Sequence, residues 1–231
     1  MVNGGYLRLY TEVSSVYQER FIVNVEPKGP DPQTTVELAG TQPIRKQRAD
    51  AQRNRERLLE VAKAAFADDG PDVSLDEIAR RAGVGIGTLY RHFPTRDAVV
   101  EEVYRREVLQ LASSATRLLG SLSPGQALHE WMRLFVDYIA TKKVMASALS
   151  SIVGGPTELY DSSRTQIMEA MSLLVNRASA AGEIRPDIDP NDLLRALGGF
   201  TYGNTSPGWQ ASALRLIEIL VDGLRPPRAA D

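Results

Sequence analysis

The chain of 231 residues contains no cysteine and only two histidines, His92 and His129. Without thiols it cannot form disulfides, thiolate zinc sites or iron–sulfur clusters, and it lacks a cysteine nucleophile. Two histidines that stand far apart in the sequence also argue against a metal site with several histidine ligands. We therefore expect neither a metal nor another cofactor.

Long apolar runs are missing as well, since no stretch approaches the roughly 18–20 residues that a membrane span needs. The N-terminus shows no basic segment followed by an apolar one, as a signal peptide would. Hydrophobic residues form 43% and charged residues 24% of the chain, which is typical of globular proteins. The sequence therefore predicts a cytoplasmic protein without a membrane partner.

Positive and negative charges nearly balance over the whole chain, but one segment is strongly basic. Between Arg45 and Arg57 lie six basic residues and only two acidic ones. Such a stretch in an otherwise acidic protein indicates either a polyanionic partner or a solvated, flexible arm, and charge alone favours neither.

Residues 1–44 differ in pattern from the rest of the chain. Two short β-like patterns, Tyr6–Tyr10 and Phe21–Val25, are interrupted by glycines and prolines, and two strands without further partners are marginal. We predict a mostly disordered extension, or residues added by a start site chosen too far upstream. A small N-terminal module is the alternative.

From about residue 49 the apolar residues recur at helical spacing and no strand-rich stretch follows, which predicts an all-α fold. We expect a three-helix domain over residues 45–96 and a larger helical bundle over residues 97–231. The second helix begins with a capping box, in which Ser74 accepts from the Glu77 amide and the Glu77 carboxylate reaches back. Thr95 is the expected N-cap of a long helix that runs to about Leu119.

A glycine turn at Gly83–Gly85 separates the second and third helices, which is typical of a helix-turn-helix. In this motif the second helix, Ser74–Ala82, crosses the phosphate backbone, and the third, Ile86–Phe93, enters the major groove. The glycines also suggest a phosphate-binding loop, but no strand precedes them and no Lys-Ser/Thr follows, so we reject a nucleotide site. The apolar residues expected to pack the three helices together are Ile78, Ala79, Ala82, Val84, Leu89 and Phe93.

The stretch from Val73 to Asp97 resembles the DNA-binding domain of TetR-family transcriptional regulators, most of all in the run Gly87–Phe93, which reads GTLYRHF. The resemblance is dense over residues 52–103. The later helices match the family in number and order, and the C-terminal region is similar to a subgroup with a divergent effector domain. This resemblance implies a DNA-binding regulator and not an enzyme, most often a repressor that a small-molecule effector releases from a palindromic operator.

The resemblance also implies which residues contact double-stranded DNA. Ser74, Tyr90, His92 and Arg96 are expected on phosphates, since hydroxyl, imidazole and guanidinium groups bind them well. Thr88 is expected on a thymine methyl or a phosphate, and Arg91 on a guanine. Arg53 and the basic residues 45–48 are expected to add flanking or minor-groove contacts. The full candidate set is Ser74, Gly87, Thr88, Tyr90, Arg91, His92, Arg96 and Arg53.

The recognition helix departs from the family pattern at two positions. Gly85 stands where a capping side chain is common, and Ile86 where a polar residue is common, so an apolar contact to a thymine methyl is expected there. Packing is the alternative role for the aromatic residues of this helix. It is favoured for Phe93, and it stays open for Tyr90 and His92.

Apolar stripes in the later helices are either ordinary core or the wall of an effector pocket. The candidate effector-binding residues are Tyr104, Trp131, Phe135, Tyr138, Met168 and Met171. Effector binding is expected to shift the long helix after Thr95 and so change the separation of two recognition helices.

The last two helices carry two further apolar stripes, more than one small bundle needs to bury. One stripe consists of Leu193, Leu194, Leu197 and Phe200, and the other of Leu214, Ile217, Leu220 and Val221. We expect a homodimer through these helices, with two recognition helices in successive major grooves. The competing interpretations are a helical enzyme or small-molecule-binding protein without a DNA role, and a module that binds another protein. The lack of cysteine and of any Glu-x-x-His pair argues against the enzyme.

Overall fold

The computed structural model describes residues 42–203 and 206–226, with side chains from residue 50 on. Over these ranges it contains nine helices and no strand, which confirms the all-α prediction. The helices are α1 (Gln42–Asp69), α2 (Leu75–Arg81), α3 (Ile86–His92), α4 (Arg96–Leu119), α5 (Pro124–Val144), α6 (Ala146–Ser150), α7 (Thr157–Ala180), α8 (Pro190–Tyr202) and α9 (Trp209–Leu224).

The chain divides into two units between Pro43 and Ile44. The second unit, Ile44–Asp231, contains all nine helices apart from the first two residues of α1. One hydrophobic cluster inside it includes buried residues from Leu58 on α1 to Leu224 on α9. The predicted domain border between residues 96 and 97 lies within this unit and stays a prediction, and the predictions for residues 1–41 lie outside the described residues.

Helix starts follow the capping chemistry of the sequence. The Ser74 hydroxyl oxygen accepts from the Glu77 amide at 3.1 Å, as predicted. The Glu77 carboxylate does not complete the box, because it accepts from Arg80 and Arg81 instead. The three hydrogen bonds from Arg80 and Arg81 hold the pKa of Glu77 down at about 2. A complete capping box starts α5, where Ser123 is the N-cap.

The long helix α4 begins and ends where the sequence predicts. The Thr95 hydroxyl oxygen accepts from the Ala98 amide at 3.1 Å, and the helix continues for 24 residues to Leu119. Buried residues occur along its whole length, and it packs against α5, α6 and α7. Helix α6 was not predicted from the sequence, and α1 begins at Gln42 although the helical pattern starts only near residue 49.

Helices α2 and α3 pack on each other across the glycine turn. Gly83 has a φ of +66°, which disfavours other residues, and an added Cβ would lie 3.2 Å from Nη2 of Arg57. Leu89 and Phe93 are almost completely buried, so the packing role favoured for Phe93 is confirmed. Five of the six residues predicted to pack the motif are buried, and Val84 is half-buried against the same cluster.

We expect Leu89→Ala to lower the free energy of unfolding by about 2–5 kcal/mol, because it opens a cavity in a core that cannot fully collapse. Urea denaturation followed by circular dichroism measures the change. Tyr90→Ala on the exposed side of the same helix is the matched control, and we expect a far smaller cost. Equal costs for the two variants would contradict the orientation of α3.

Candidate nucleic-acid interface and bundle core

One face of α3 points away from the core. Gly87, Tyr90 and Arg91 are exposed, and their spacing of three and four residues places them on one side of the helix. Tyr90 keeps 48% of its surface exposed, although tyrosine usually buries its ring. This face therefore offers a phenol and a guanidinium group to a partner outside the chain.

The other predicted contacts on α3 flank this face. Thr88 and His92 are half-buried and lie one turn apart, and the His92 ring centroid is 6.2 Å from that of Phe93. Ile86 is half-buried and packs on the hydrophobic cluster, so part of its apolar surface is used within the motif. Their roles toward DNA stay predictions.

The arginines near α3 differ in how their donors are used. Within the part of the chain that the structure describes, Arg91 forms no ion pair and is exposed. Arg53 pairs with Asp50 on the surface of α1. Arg96 donates to the carbonyl oxygens of Val73, at 2.6 Å, and of Pro71. The Arg96 guanidinium thus braces the loop before α2, and the phosphate contact implied for it stays a prediction.

Three ion pairs hold α1 against α4, and we call them the α1–α4 clamp. They are Arg55–Glu102 at 2.5 Å, Arg106–Glu60 at 2.6 Å and Lys63–Glu107 at 2.7 Å. The Lys63–Glu107 pair is the most buried, with side-chain exposures of 22% and 9%. Water therefore screens the attraction within this pair least, and loss of either partner would leave a partly buried charge.

The clamp extends to neighbouring helices at both ends. The Arg55 guanidinium lies 5.2 Å from the ring centroid of Phe93, directly after α3. Asp137 on α5 lies near Lys63, and burial raises the pKa of the Asp137 carboxyl to about 6 against the attraction of Lys63 and Arg133. Charged groups therefore connect α1 and α4 with the bundle.

The predicted effector-binding aromatics form a continuous chain through the core. Ring centroids of Trp131 and Phe135 are 5.9 Å apart, those of Phe135 and Tyr138 are 5.8 Å apart, and those of Tyr138 and Tyr104 are 6.2 Å apart. The hydroxyl oxygens of Tyr104 and Tyr138 lie 2.8 Å from each other. All four side chains are buried, so the structure brings them together as packed core.

Both predicted methionines lie on α7, where Met171 is buried and Met168 is half-buried. Two open cavities of about 240 and 270 Å³ lie elsewhere and are not lined by any predicted effector residue. The smaller is bordered by His129 and Leu224, and the larger by Ala112 and Leu173. Because neither cavity contains a predicted effector-binding residue, the effector site stays a prediction.

Two residues beside the aromatic chain were not identified from the sequence. Lys142 follows Tyr138 by one turn of α5, and Tyr202 ends α8. The Lys142 ammonium lies over the rings of both Tyr104 and Tyr202. The position of Lys142 four residues after Tyr138 is a signal that the helical spacing offers.

The described helices include none with the length and hydropathy that crossing a bilayer requires. In the same residues no three histidine, aspartate or glutamate side chains converge in a way that would hold a metal ion.

Two family models match the chain. One, described as bacterial regulatory proteins of the tetR family, matches residues 58–103. The other, described as the C-terminal domain of SbtR-like transcriptional regulators, matches residues 123–226. The first contains α2, α3 and the glycine turn, and the second contains α5 to α9.

Solved structures and curated proteins show the same similarity. The chain is 44% identical to a TetR transcriptional regulator of Streptomyces coelicolor, over 75% of this chain and 99% of that one, with a TM-score of 0.68. It is 36% identical to a TetR transcription regulatory protein of Mycobacterium vanbaalenii, over 78% and 99%, with a TM-score of 0.67. An HTH-type transcriptional regulator of Staphylococcus aureus strain USA300 is 32% identical over 103 residues, which are 44% of this chain. The match spans about half the length of that curated relative, 54%.

We expect Glu107→Ala to lower the free energy of unfolding by about 3 kcal/mol, because it removes the carboxylate that neutralises a partly buried ammonium. Glu101→Ala is the matched control, since Glu101 pairs with Arg105 on the exposed side of the same helix at 3.5 Å. Its expected cost is below about 1 kcal/mol. Urea denaturation distinguishes them, and equal costs would contradict the ranking of these two ion pairs.

Proposed function

Because the chain belongs to the TetR family of DNA-binding transcriptional regulators, we propose that it acts as a homodimeric repressor, which binds a palindromic operator and leaves it when a small-molecule effector binds the bundle. The family consists of transcription factors, and the chain is not an enzyme. A repressor of this kind acts in the cytoplasm, where the bacterial chromosome lies. The exposed face of α3 is the observation that carries the proposal.

The chemistry of that face suits the major groove. Arg91 has no ion-pair partner among the described residues, so its fork of donors is available for O6 and N7 of a guanine. The Tyr90 hydroxyl is a donor for a phosphate, and Gly87 lets the backbone approach. Thr88 and His92 extend the contact on the flank of the helix.

The proposed dimer uses the last two helices with a face that differs in part from the predicted stripes. Leu193, Leu197 and Ile217 are buried in the core of the protomer itself, so they are not available to a partner. Leu216 and Ile219 on α9 are 38% and 69% exposed instead. A second copy that covers these side chains would complete a symmetric four-helix contact.

Helix α4 is the proposed route from effector to DNA. Its first turn follows α3 after a short loop, the clamp fixes it to α1, and its length packs on α5 and α7. A ligand changes operator affinity only if it binds the DNA-incompetent arrangement more tightly. Contacts that move α4 within the bundle would therefore alter the position of α3.

Removal of the Arg91 guanidinium tests the DNA interface. We expect Arg91→Ala to weaken operator binding by about 1–3 kcal/mol and to relax the base preference at one position in each half-site. The matched control is Arg164→Ala, which removes the same charge from an exposed position on α7. Gel-shift titrations at several salt concentrations measure both, and wild-type binding should weaken steeply as salt rises.

Equal operator affinities for the Arg91 and Arg164 variants would contradict the interface. Binding that does not change with salt would instead favour a protein-binding role for the motif.

Removal of the exposed apolar side chain of Ile219 tests the dimer. We expect Ile219→Lys to give a monomer with weakened operator affinity, because a buried, unpaired ammonium is costly at a symmetric contact. Leu109→Lys is the control, since Leu109 is 60% exposed on α4. Sedimentation velocity measures the mass, and a monomeric wild type or a dimeric Ile219 variant would contradict the proposed dimer face.

A further inference from the structure

The ammonium group of Lys142 lies within a cage of three tyrosine rings. Its Nζ atom is 4.4 Å from the ring centroid of Tyr160, 5.4 Å from that of Tyr202 and 5.7 Å from that of Tyr104. These residues come from α4, α5, α7 and α8, so four helices of the bundle converge on one positive charge.

This charge has no carboxylate beside it in the described ranges. Burial opposes the charge of Lys142, but the phenols of Tyr202 and Tyr104 outweigh burial, and the pKa of Lys142 is raised from its ordinary value. Lys63, in contrast, has a glutamate at 2.7 Å. Partly buried charges in proteins are normally paired with an opposite charge. The cage therefore contains a stabilised cation without the anion that such a site usually holds.

We propose that Lys142, Tyr104, Tyr160 and Tyr202 bind the carboxylate group of an aromatic monocarboxylic acid, and that this acid is the effector of the repressor. The role of the acid as effector rests on the proposed function, whereas the binding of its carboxylate group does not.

The donors of the cage fit a carboxylate with a single charge. One ammonium balances one negative charge, and Lys143, the neighbouring lysine, lies over the Trp209 ring at 3.8 Å instead. The hydroxyl groups of Tyr104 and Tyr138 share one hydrogen bond of 2.8 Å, so the accepting phenol keeps its own proton for another partner. Ammonium and phenol donors together serve the two oxygens of a carboxylate.

The surroundings of the cage fit an aromatic body. Tyr104 and Tyr160 stand edge to face, with centroids 5.8 Å apart and planes at 72°. Rings prefer this geometry and offset stacking, so another planar ring finds favourable contacts here. Tyr202 is 47% exposed and Tyr160 and Lys142 are half-buried, which leaves one side of the cage accessible to solvent.

The site also lies where a ligand can act on operator binding. Tyr104 is on α4 between Glu102 and Glu107, the two glutamates that this helix contributes to the α1–α4 clamp. An acid that binds Lys142 on α5 and Tyr104 on α4 would change the distance between these helices. The clamp would carry that change to α1.

Tyrosine cages also bind cations, which is the opposite chemistry. The centre of this cage is already occupied by the Lys142 ammonium, so a second cation would be repelled. A quaternary ammonium compound is therefore the probe that distinguishes the two cases.

Calorimetric titration of the full chain tests the site with three probes: 1-naphthoate, its neutral analogue 1-naphthamide, and benzyltrimethylammonium. We expect wild type to bind 1-naphthoate at least about tenfold more tightly than the amide. Lys142→Met should remove this preference, and Lys143→Met, the matched control one residue away, should keep it. Tyr202→Phe deletes only a hydroxyl and should reduce the preference, so it tests the site even if the Lys142 variant does not fold.

Four results would each overturn the proposed site. They are equal affinity for acid and amide, an unchanged preference in both the Lys142 and Tyr202 variants, tighter binding of the cation, and no binding of 1-naphthoate. Gel shifts on the same samples separate the two proposals. Operator binding without any carboxylate binding would leave the repressor standing and reject the site. Naphthoate binding through Lys142 that leaves operator affinity unchanged would keep the site and reject its role as the effector site.

Discussion

In the proposed mechanism, the ion pair between Lys63 and Glu107 is the contact on which coupling between the bundle and the helix-turn-helix motif depends. It joins α1, which belongs to the helix-turn-helix motif, to the middle of α4, which packs on α5 and α7. A helix of 24 residues spans about 36 Å, so α4 connects the end of α3 with the bundle without a hinge. A displacement of α4 would therefore reach α1 through the three ion pairs of the clamp, and α3 through the short loop before α4.

The two candidate binding regions each contain a cation without a carboxylate partner among the described residues. On α3, an arginine without an ion-pair partner among the described residues faces outward, which suits an anionic DNA partner. In the bundle, Lys142 lies among phenols, which suits an anionic ligand. Charges that are satisfied within the fold, such as Glu77 with Arg80 and Arg81, hold the motif together instead. A charged group with an opposite charge beside it thus has a structural role, and one without such a partner among the described residues is a candidate functional group.

Local chemistry was predictable from the sequence, while contacts between distant residues were not. The Thr95 cap and the burial of Phe93 follow from short-range capping and spacing, and both are confirmed. The apolar stripes on α8 and α9 contain residues that are buried, such as Leu197 and Ile217. Periodicity alone does not show whether such a stripe packs on the core of its own chain or on a second copy. The Lys142 cage was missed because four separate helices build it. The carbonyl contacts of Arg96 were hidden for the same reason.

In the proposed repressor, a symmetric pair of α3 helices reads DNA through an exposed face. Selection of bound sequences from a random pool of duplexes by the wild-type protein tests it most directly. We expect an inverted repeat, with half-sites separated by about one helical turn or a multiple of it. Enrichment of a single half-site without an inverted copy, or no enrichment at all, would contradict this mode of binding.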